Sequence, residues 1–153
     1  MTPAQQTSIL SAATCDVRFD NLTRQLYATD ASHYQIEPAA VAFPKGAKQA
    51  SAVIRAAADA GVAVIPRGAG TGLIGGCVGD GVIVDFSRHN RGIADFNADG
   101  RSIRVGAGVV LDQLNEFLKP HGLCFGPDVA TSSRATIGGM IANNSSGDRK
   151  SVV

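Results

Sequence analysis

The stretch Pro66-Arg67-Gly68-Ala69-Gly70-Thr71-Gly72-Leu73-Ile74-Gly75-Gly76 joins a permanent cation to a dense run of glycines, directly after the apolar run 62–65. A glycine has no Cβ, so it can take φ > 0 and let backbone N–H groups approach an anion. Several in succession form a concave nest of donors suited to a pyrophosphate. The spacing Gly70-x-Gly72-x-x-Gly75 matches a dinucleotide fingerprint, but the Rossmann form of that site needs a strand, the loop, and then a helix whose N-terminus faces the phosphates. Here Gly76-Cys77-Val78-Gly79-Asp80-Gly81 follows and leads into 82–86, which reads as a strand. The interval is too glycine-rich for a crossover helix. The expectation is a pyrophosphate cradle made of loop alone, between two strands. A lone motif of this kind is more often a long surface turn. Arg67 at the entrance, and a second segment downstream, favour the cradle.

That second segment is Gly126-Pro127-Asp128-Val129-Ala130-Thr131-Ser132-Ser133-Arg134-Ala135-Thr136-Ile137-Gly138-Gly139-Met140-Ile141-Ala142-Asn143-Asn144-Ser145-Ser146-Gly147. Small residues let a backbone lie against a flat ligand, and the hydroxyls of Thr131, Ser132, Ser133 and Thr136 can donate to phosphate or polyol oxygens. Alone, such a segment is a loop. Paired with the glycine cradle it suggests two walls around one long anionic ligand. His33, His89 and His121 form no cluster, and Cys15, Cys77 and Cys124 show no metal-ligand spacing, so no metal site is expected.

The elements that must position these segments follow from periodicity. Helices are expected over 4–13, over 21–28 with Asp20 as N-cap, over 48–60 with Ala50, Val53, Ile54, Ala57 and Ala58 in helical register, and over 110–119 with Leu111, Leu114 and Leu118. Strands are expected over 39–43, 62–65 and 82–86. A hairpin of 93–96 and 102–105 turns at Asn97-Ala98-Asp99-Gly100. Residues 126–136 read as loop and 137–144 as a short helix or turn rich in small residues. A β-α-β piece followed by a hairpin argues for an α+β fold rather than a doubly wound sheet.

With 153 residues and 44% hydrophobic content the chain can bury one domain-sized core. A net charge of +1 without a basic cluster gives no reason to expect nucleic acid or an anionic membrane surface as a partner. No apolar run approaches a membrane span, the N-terminus lacks the features of a signal peptide, and the odd, scattered cysteines suggest reduced thiols in a cytosolic setting. The chain stops at Ser151-Val152-Val153 just as a new apolar segment begins, which reads as a fragment boundary.

Taken together, the Arg67–Gly76 loop, Gly126-Pro127-Asp128, Thr136-Ile137-Gly138-Gly139 and Ala142-Asn143-Asn144-Ser145-Ser146-Gly147 resemble the FAD-linked oxidases of the vanillyl-alcohol oxidase type. Tyr27-x-Thr29-Asp30-Ala31-Ser32-x-Tyr34 and Ile36-x-Pro38 are similar to the branch of D-lactate, glycolate and D-2-hydroxyglutarate dehydrogenases, particularly its long members with an iron–sulfur part. The resemblance runs from about Leu26 to the end. It implies a PCMH-type FAD-binding domain of two α+β subdomains with the flavin extended between them, truncated at its C-terminus. Residues 1–35 would be a helical lead-in and 36–153 the FAD-binding part. Carried over, Arg67, Gly68, Ala69, Gly70, Thr71, Gly72, Gly75 and Gly76 would line the pyrophosphate site. Pro127, Asp128, Ser132, Ser133, Thr136, Gly138, Gly139, Ala142 and Asn143 would line the ribityl and isoalloxazine side, with Asp128 equally readable as a turn former.

Relatives that tether flavin covalently place a histidine where this chain has Thr71, and Gly122-Leu123-Cys124-Phe125 reads as a buried passage that would keep Cys124 from serving instead. Non-covalent FAD is the expectation. Any iron–sulfur cluster, capping domain and catalytic residues would belong to a missing distal part, and no catalytic residue is assigned. The resemblance implies oxidation of a D-2-hydroxy acid by hydride transfer to flavin N5, in a protein that is cytoplasmic or peripheral at the inner membrane. Two alternatives stand beside it: another oxidoreductase on the same flavin fold, and a non-catalytic remnant or interaction module.

Overall fold

The computed structural model describes residues 1–146; Gly147 and the terminal Ser151-Val152-Val153 lie outside the described residues. Helix α1, Pro3–Ala12, starts in a capping box: the Thr2 hydroxyl accepts from the Gln5 N–H and the Gln5 side chain accepts from the Thr2 N–H, with Pro3 pre-set at the first helical position. Helix α2, Asn21–Leu26, is capped by Asp20 as expected, but it stops at Leu26. The Thr23 N–H and then its hydroxyl donate to the Asp20 carboxylate, and these bonds hold it below the usual carboxylate range. Between the two helices lies a strand that the sequence did not announce, β1, Asp16–Arg18. The expected helical lead-in of 1–35 is therefore mixed.

Strands β2, Ala40–Phe43, β3, Val64–Arg67, and β4, Val82–Asp85, complete a four-stranded sheet in the order β1-β2-β4-β3. β1 runs antiparallel to β2, and β4 is parallel to both of its neighbours. β2 and β4 are buried along their whole length, as strands covered on both faces must be, and both are continuous runs of apolar residues apart from Asp85. One face packs Ala40, Ala42, Val82 and Val84 against Ile9 of α1 and Val53 and Ala57 of α3, Ala47–Asp59. The other packs Val41, Phe43 and Ile83 with Tyr27 and Ile65. In α3 the buried stripe is Ala50, Val53, Ala56 and Ala57; Ile54 and Ala58, expected on that stripe, face solvent.

β3 and β4 are adjacent and parallel, yet the chain between them contains no helix. The glycine loop is itself the crossover, as its composition requires. The second unit is the antiparallel hairpin β5, Ile93–Asn97, and β6, Ser102–Val105, with α4, Leu111–Leu118, a 3₁₀ turn at Lys119–His121, and α5, Ile137–Ala142. Its core is Val109, Leu111, Leu114, Leu118, Ala135, Ile137 and Met140. Two cores, each built from helix and strand, make the α+β architecture that the element order implies.

Candidate functional site

The two units meet along a cleft of about 350 Å³ with the glycine loop on one wall and the start of α5 on the other. The walls touch where β3 ends. A Cβ added to Gly68 would lie 2.3 Å from Thr136 Oγ1, so only glycine allows this approach. Thr136 is buried and caps α5, its hydroxyl accepting from the Gly139 N–H at 3.4 Å. Gly138 closes the same corner: its N–H donates to the Ala107 carbonyl at 2.9 Å, and a Cβ there would meet Ala107 Cβ at 2.8 Å.

Of the expected site residues, Arg67, Gly68, Ala69, Gly70, Thr71, Gly72, Gly76, Thr136, Gly138, Gly139, Ala142 and Asn143 all line this cleft. Among the described residues, no backbone N–H over 68–77 donates to a protein acceptor. Gly70, at φ 70°, and Gly75, at φ 74°, supply the left-handed residues at which the loop turns. Unspent backbone donors on one wall of a cleft are what an anionic ligand would use.

Five expected residues are not in the cleft lining. Gly75 lies against the Tyr34 ring: its absent Cβ would sit 2.6 Å from that ring. Pro127, Asp128, Ser132 and Ser133 belong to a loop whose Ser132 carbonyl accepts from the Asp112 N–H at 3.2 Å, which holds it toward α4; only Val129 and Thr131 of its central part reach the cleft. The remaining lining comes from Pro66, Ile74, Cys77, Phe86, Ala107, Ala135, Met140 and Ser145. Ile74 and Cys77 sit within the glycine stretch itself, whereas nothing local in the sequence marks Phe86 or Ala107.

The guanidinium of Arg67 is committed to protein carbonyls. It donates to Thr29 O at 2.7 Å and to Tyr27 O and Cys77 O at 3.3 Å each, and it stacks 5.1 Å from the Tyr27 ring centroid. Arg67 thus braces the loop from within. Cys77 Sγ–H donates to Asp30 at 3.2 Å. Burial, and then the bond to the Asp30 carboxylate, push this thiol up to about 11, so it is protonated and a poor nucleophile at neutral pH. Burial alone would raise Asp30, but the Ser32 hydroxyl and N–H, the Cys77 thiol and the Arg67 charge together hold its carboxyl below the usual range. Tyr27 connects this corner to the sheet: its hydroxyl donates to the buried Asp85, which also accepts from the Ser87 N–H and hydroxyl and from the Arg88 N–H.

Cys124, expected in a buried passage, is exposed, and it is not among the residues lining the cleft. His33, His89 and His121 all face solvent, and the described residues contain no cluster able to hold a metal ion. No helix among them is long and apolar enough to cross a membrane.

The profile of a family described as "FAD binding domain" matches residues 38–152. Over 131 residues the chain is 47% identical to a D-2-hydroxyglutarate dehydrogenase of Pseudomonas putida, covering 84% of this chain and 13% of that protein. It is 36% identical to the glycolate oxidase subunit GlcD of Escherichia coli, covering 76% of this chain and 23% of that one. The chain thus spans about an eighth to a quarter of the length of these two relatives. Among solved structures, an alkyldihydroxyacetonephosphate synthase superposes with a TM-score of 0.81 at 18% identity, over 96% of this chain and 33% of that one, which is a likeness of fold.

Proposed function

This chain belongs to the FAD binding domain family, and from that premise we propose that its cleft holds FAD without a covalent bond, as the cofactor-binding part of a dehydrogenase acting on D-2-hydroxy acids. The observation that carries the reading is the row of unspent N–H groups over 68–77, opposite a second wall that includes the neutral polar side chains of Thr131 and Asn143. The loop backbone would bind the pyrophosphate. Ile74, Phe86, Val129, Ala135 and Met140 offer apolar surface for a flat ring system. Residues 36–153 would form the FAD-binding unit.

When bound, FAD supplies the hydride acceptor, at N5. The substrate would give up the hydride from its α-carbon and lose its hydroxyl proton to a base. Among the described residues lining the cleft, Cys77 is held protonated at neutral pH by burial and the Asp30 carboxylate, and no catalytic base is assigned. The role assigned to this part is to bind and orient the cofactor. Thr71 and a protonated Cys77 at the loop favour an untethered cofactor. The substrate class rests on the names of the relatives, D-2-hydroxyglutarate dehydrogenase and glycolate oxidase.

The test is direct. The purified chain mixed with FAD should acquire a bound-flavin absorbance spectrum, and acid precipitation should leave the colour in the supernatant. A chain that takes up no flavin overturns the binding site, and a yellow pellet overturns the untethered mode. Dye reduction by the longer protein with D-2-hydroxyglutarate, D-lactate and glycolate then decides the substrate.

A further inference from the structure

The glycine loop has no helix to hold its shape, and among the described residues none of its own N–H groups from 68 to 77 donates to a protein acceptor. Something else must keep it from collapsing or wandering, because an unrestrained run of glycines pays a large conformational cost on binding a ligand. The structure provides one neighbour that touches the loop along its length, the segment 27–34.

The contacts are of four kinds. Ala31 N–H donates to the Gly70 carbonyl at 2.9 Å, fixing the loop where its φ turns positive. Arg67, at the loop's entrance, donates to the carbonyls of Tyr27 and Thr29 and also to Cys77 at the loop's far side, so one guanidinium ties both ends to the segment. Cys77 donates to Asp30, whose other carboxylate oxygen accepts from the Ser32 N–H at 2.8 Å. Tyr34 lies over Gly75, leaving no room there for a side chain.

We propose that segment 27–34 is a clamp that holds the glycine loop in its ligand-ready shape, with the Asp30–Cys77 pair as its side-chain clasp and Arg67 as its internal brace. This rests on the FAD reading of the cleft. It assigns Asp30 and Cys77 as positioning residues that act on the pyrophosphate half of the ligand through the loop. A loop held open in the competent form avoids the penalty that a fractionally populated competent state imposes on affinity.

The experiment compares the chain with its Cys77→Ala and Cys77→Ser variants, using FAD, ADP and riboflavin as probes. Loss of the clasp in Cys77→Ala should weaken FAD and ADP by about tenfold, the effect of losing one hydrogen bond to a charged group. Riboflavin, which carries no pyrophosphate, should lose clearly less than FAD and ADP, and Cys77→Ser, which keeps a donor, should recover most of the loss. Thermal midpoints measured in parallel separate a folding defect from a loop defect. Equal weakening of all three probes, or failure of serine to rescue, overturns the clamp. If the wild type binds neither FAD nor ADP, the cofactor reading fails, and the clamp is then decided by backbone order parameters of the ligand-free chain. Residues 68–77 should lose order in Cys77→Ala and regain it in Cys77→Ser; unchanged order overturns the proposal.

Discussion

Gly68 and Thr136 are a point at which the two halves of the fold touch: a Cβ added to the glycine would lie 2.3 Å from the hydroxyl oxygen of the threonine. The contact joins the end of β3 to the cap of α5, where the cleft walls approach each other. Gly68→Ala should force Thr136 to rotate and release the Gly139 N–H, at a cost of roughly 1–3 kcal/mol. Removing the obstacle tests this. In a Thr136→Ala background, itself destabilised by about 1 kcal/mol through the lost cap, Gly68→Ala should cost markedly less. Urea unfolding of the four proteins gives the coupling, and additive effects would show that the two residues do not meet.

Gly138 makes a comparably close approach within the second unit, against a harder neighbour. Its substituent would meet the Cβ of Ala107 at 2.8 Å and its carbonyl oxygen at 2.9 Å, and a backbone cannot rotate aside as a hydroxyl can. Gly138→Ala is expected to destabilise by roughly 1–3 kcal/mol and to weaken FAD binding by shifting α5. Because the obstacle is partly main chain, Ala107→Gly should relieve only part of the loss. Full recovery in the double variant would mean that the methyl group alone sets the spacing.

How far these relationships could be read beforehand depends on the range of the interaction. The start of α2 was legible because its cap is local: Asp20 reaches Thr23, three residues away. The glycine loop was legible because too many glycines forbid a helix. β1 was missed because three residues, Asp16-Val17-Arg18, carry almost no periodicity, and the strand is defined by its partner β2. Ile54 was assigned to the core by hydrophobicity, although the helix turns it outward. Arg67 reads as a ligand cation from its place in the motif. Two of its three carbonyl partners lie 40 and 38 residues upstream, which no spacing rule connects to it. Phe86 and Ala107 reach the cleft for the same reason, because tertiary packing brings them there.

Tyr27→Phe tests whether the buried Asp85 depends on its long-range donor. The variant keeps the edge-on packing against Phe43 at 5.8 Å and the ring beneath Arg67, and removes only the hydroxyl. Asp85 would still accept from Ser87 and Arg88, so the carboxylate is left one donor short rather than orphaned. The expected loss is roughly 1–3 kcal/mol by chemical denaturation. A change below a few tenths of a kcal/mol would mean that Ser87 and Arg88 already satisfy the group.

Alkaline pH should loosen the clamp before it unfolds the chain by other routes. Cys77 has an ordinary value of 9.0 and is raised to about 11 by burial and by the Asp30 carboxylate. The folded state therefore holds this proton where the unfolded chain has lost it. Stability from this group is complete below pH 9 and is lost as pH rises from about 9 toward 11, since there the unfolded state binds fewer protons. Tyr27 is raised above its usual 10.0, first by burial and then by Asp85, and adds a second loss at higher pH with the same sign. Cys15, raised by burial, acts in the same direction, so the measurement belongs in a Cys15→Ser background. Urea midpoints at pH 7.5, 9 and 10.5 should fall steadily in that background. With Cys77→Ser added, the step between 9 and 10.5 should shrink, because serine has no proton to lose there, while the tyrosine contribution remains. An identical decline with and without the thiol would remove Cys77 from the alkaline response.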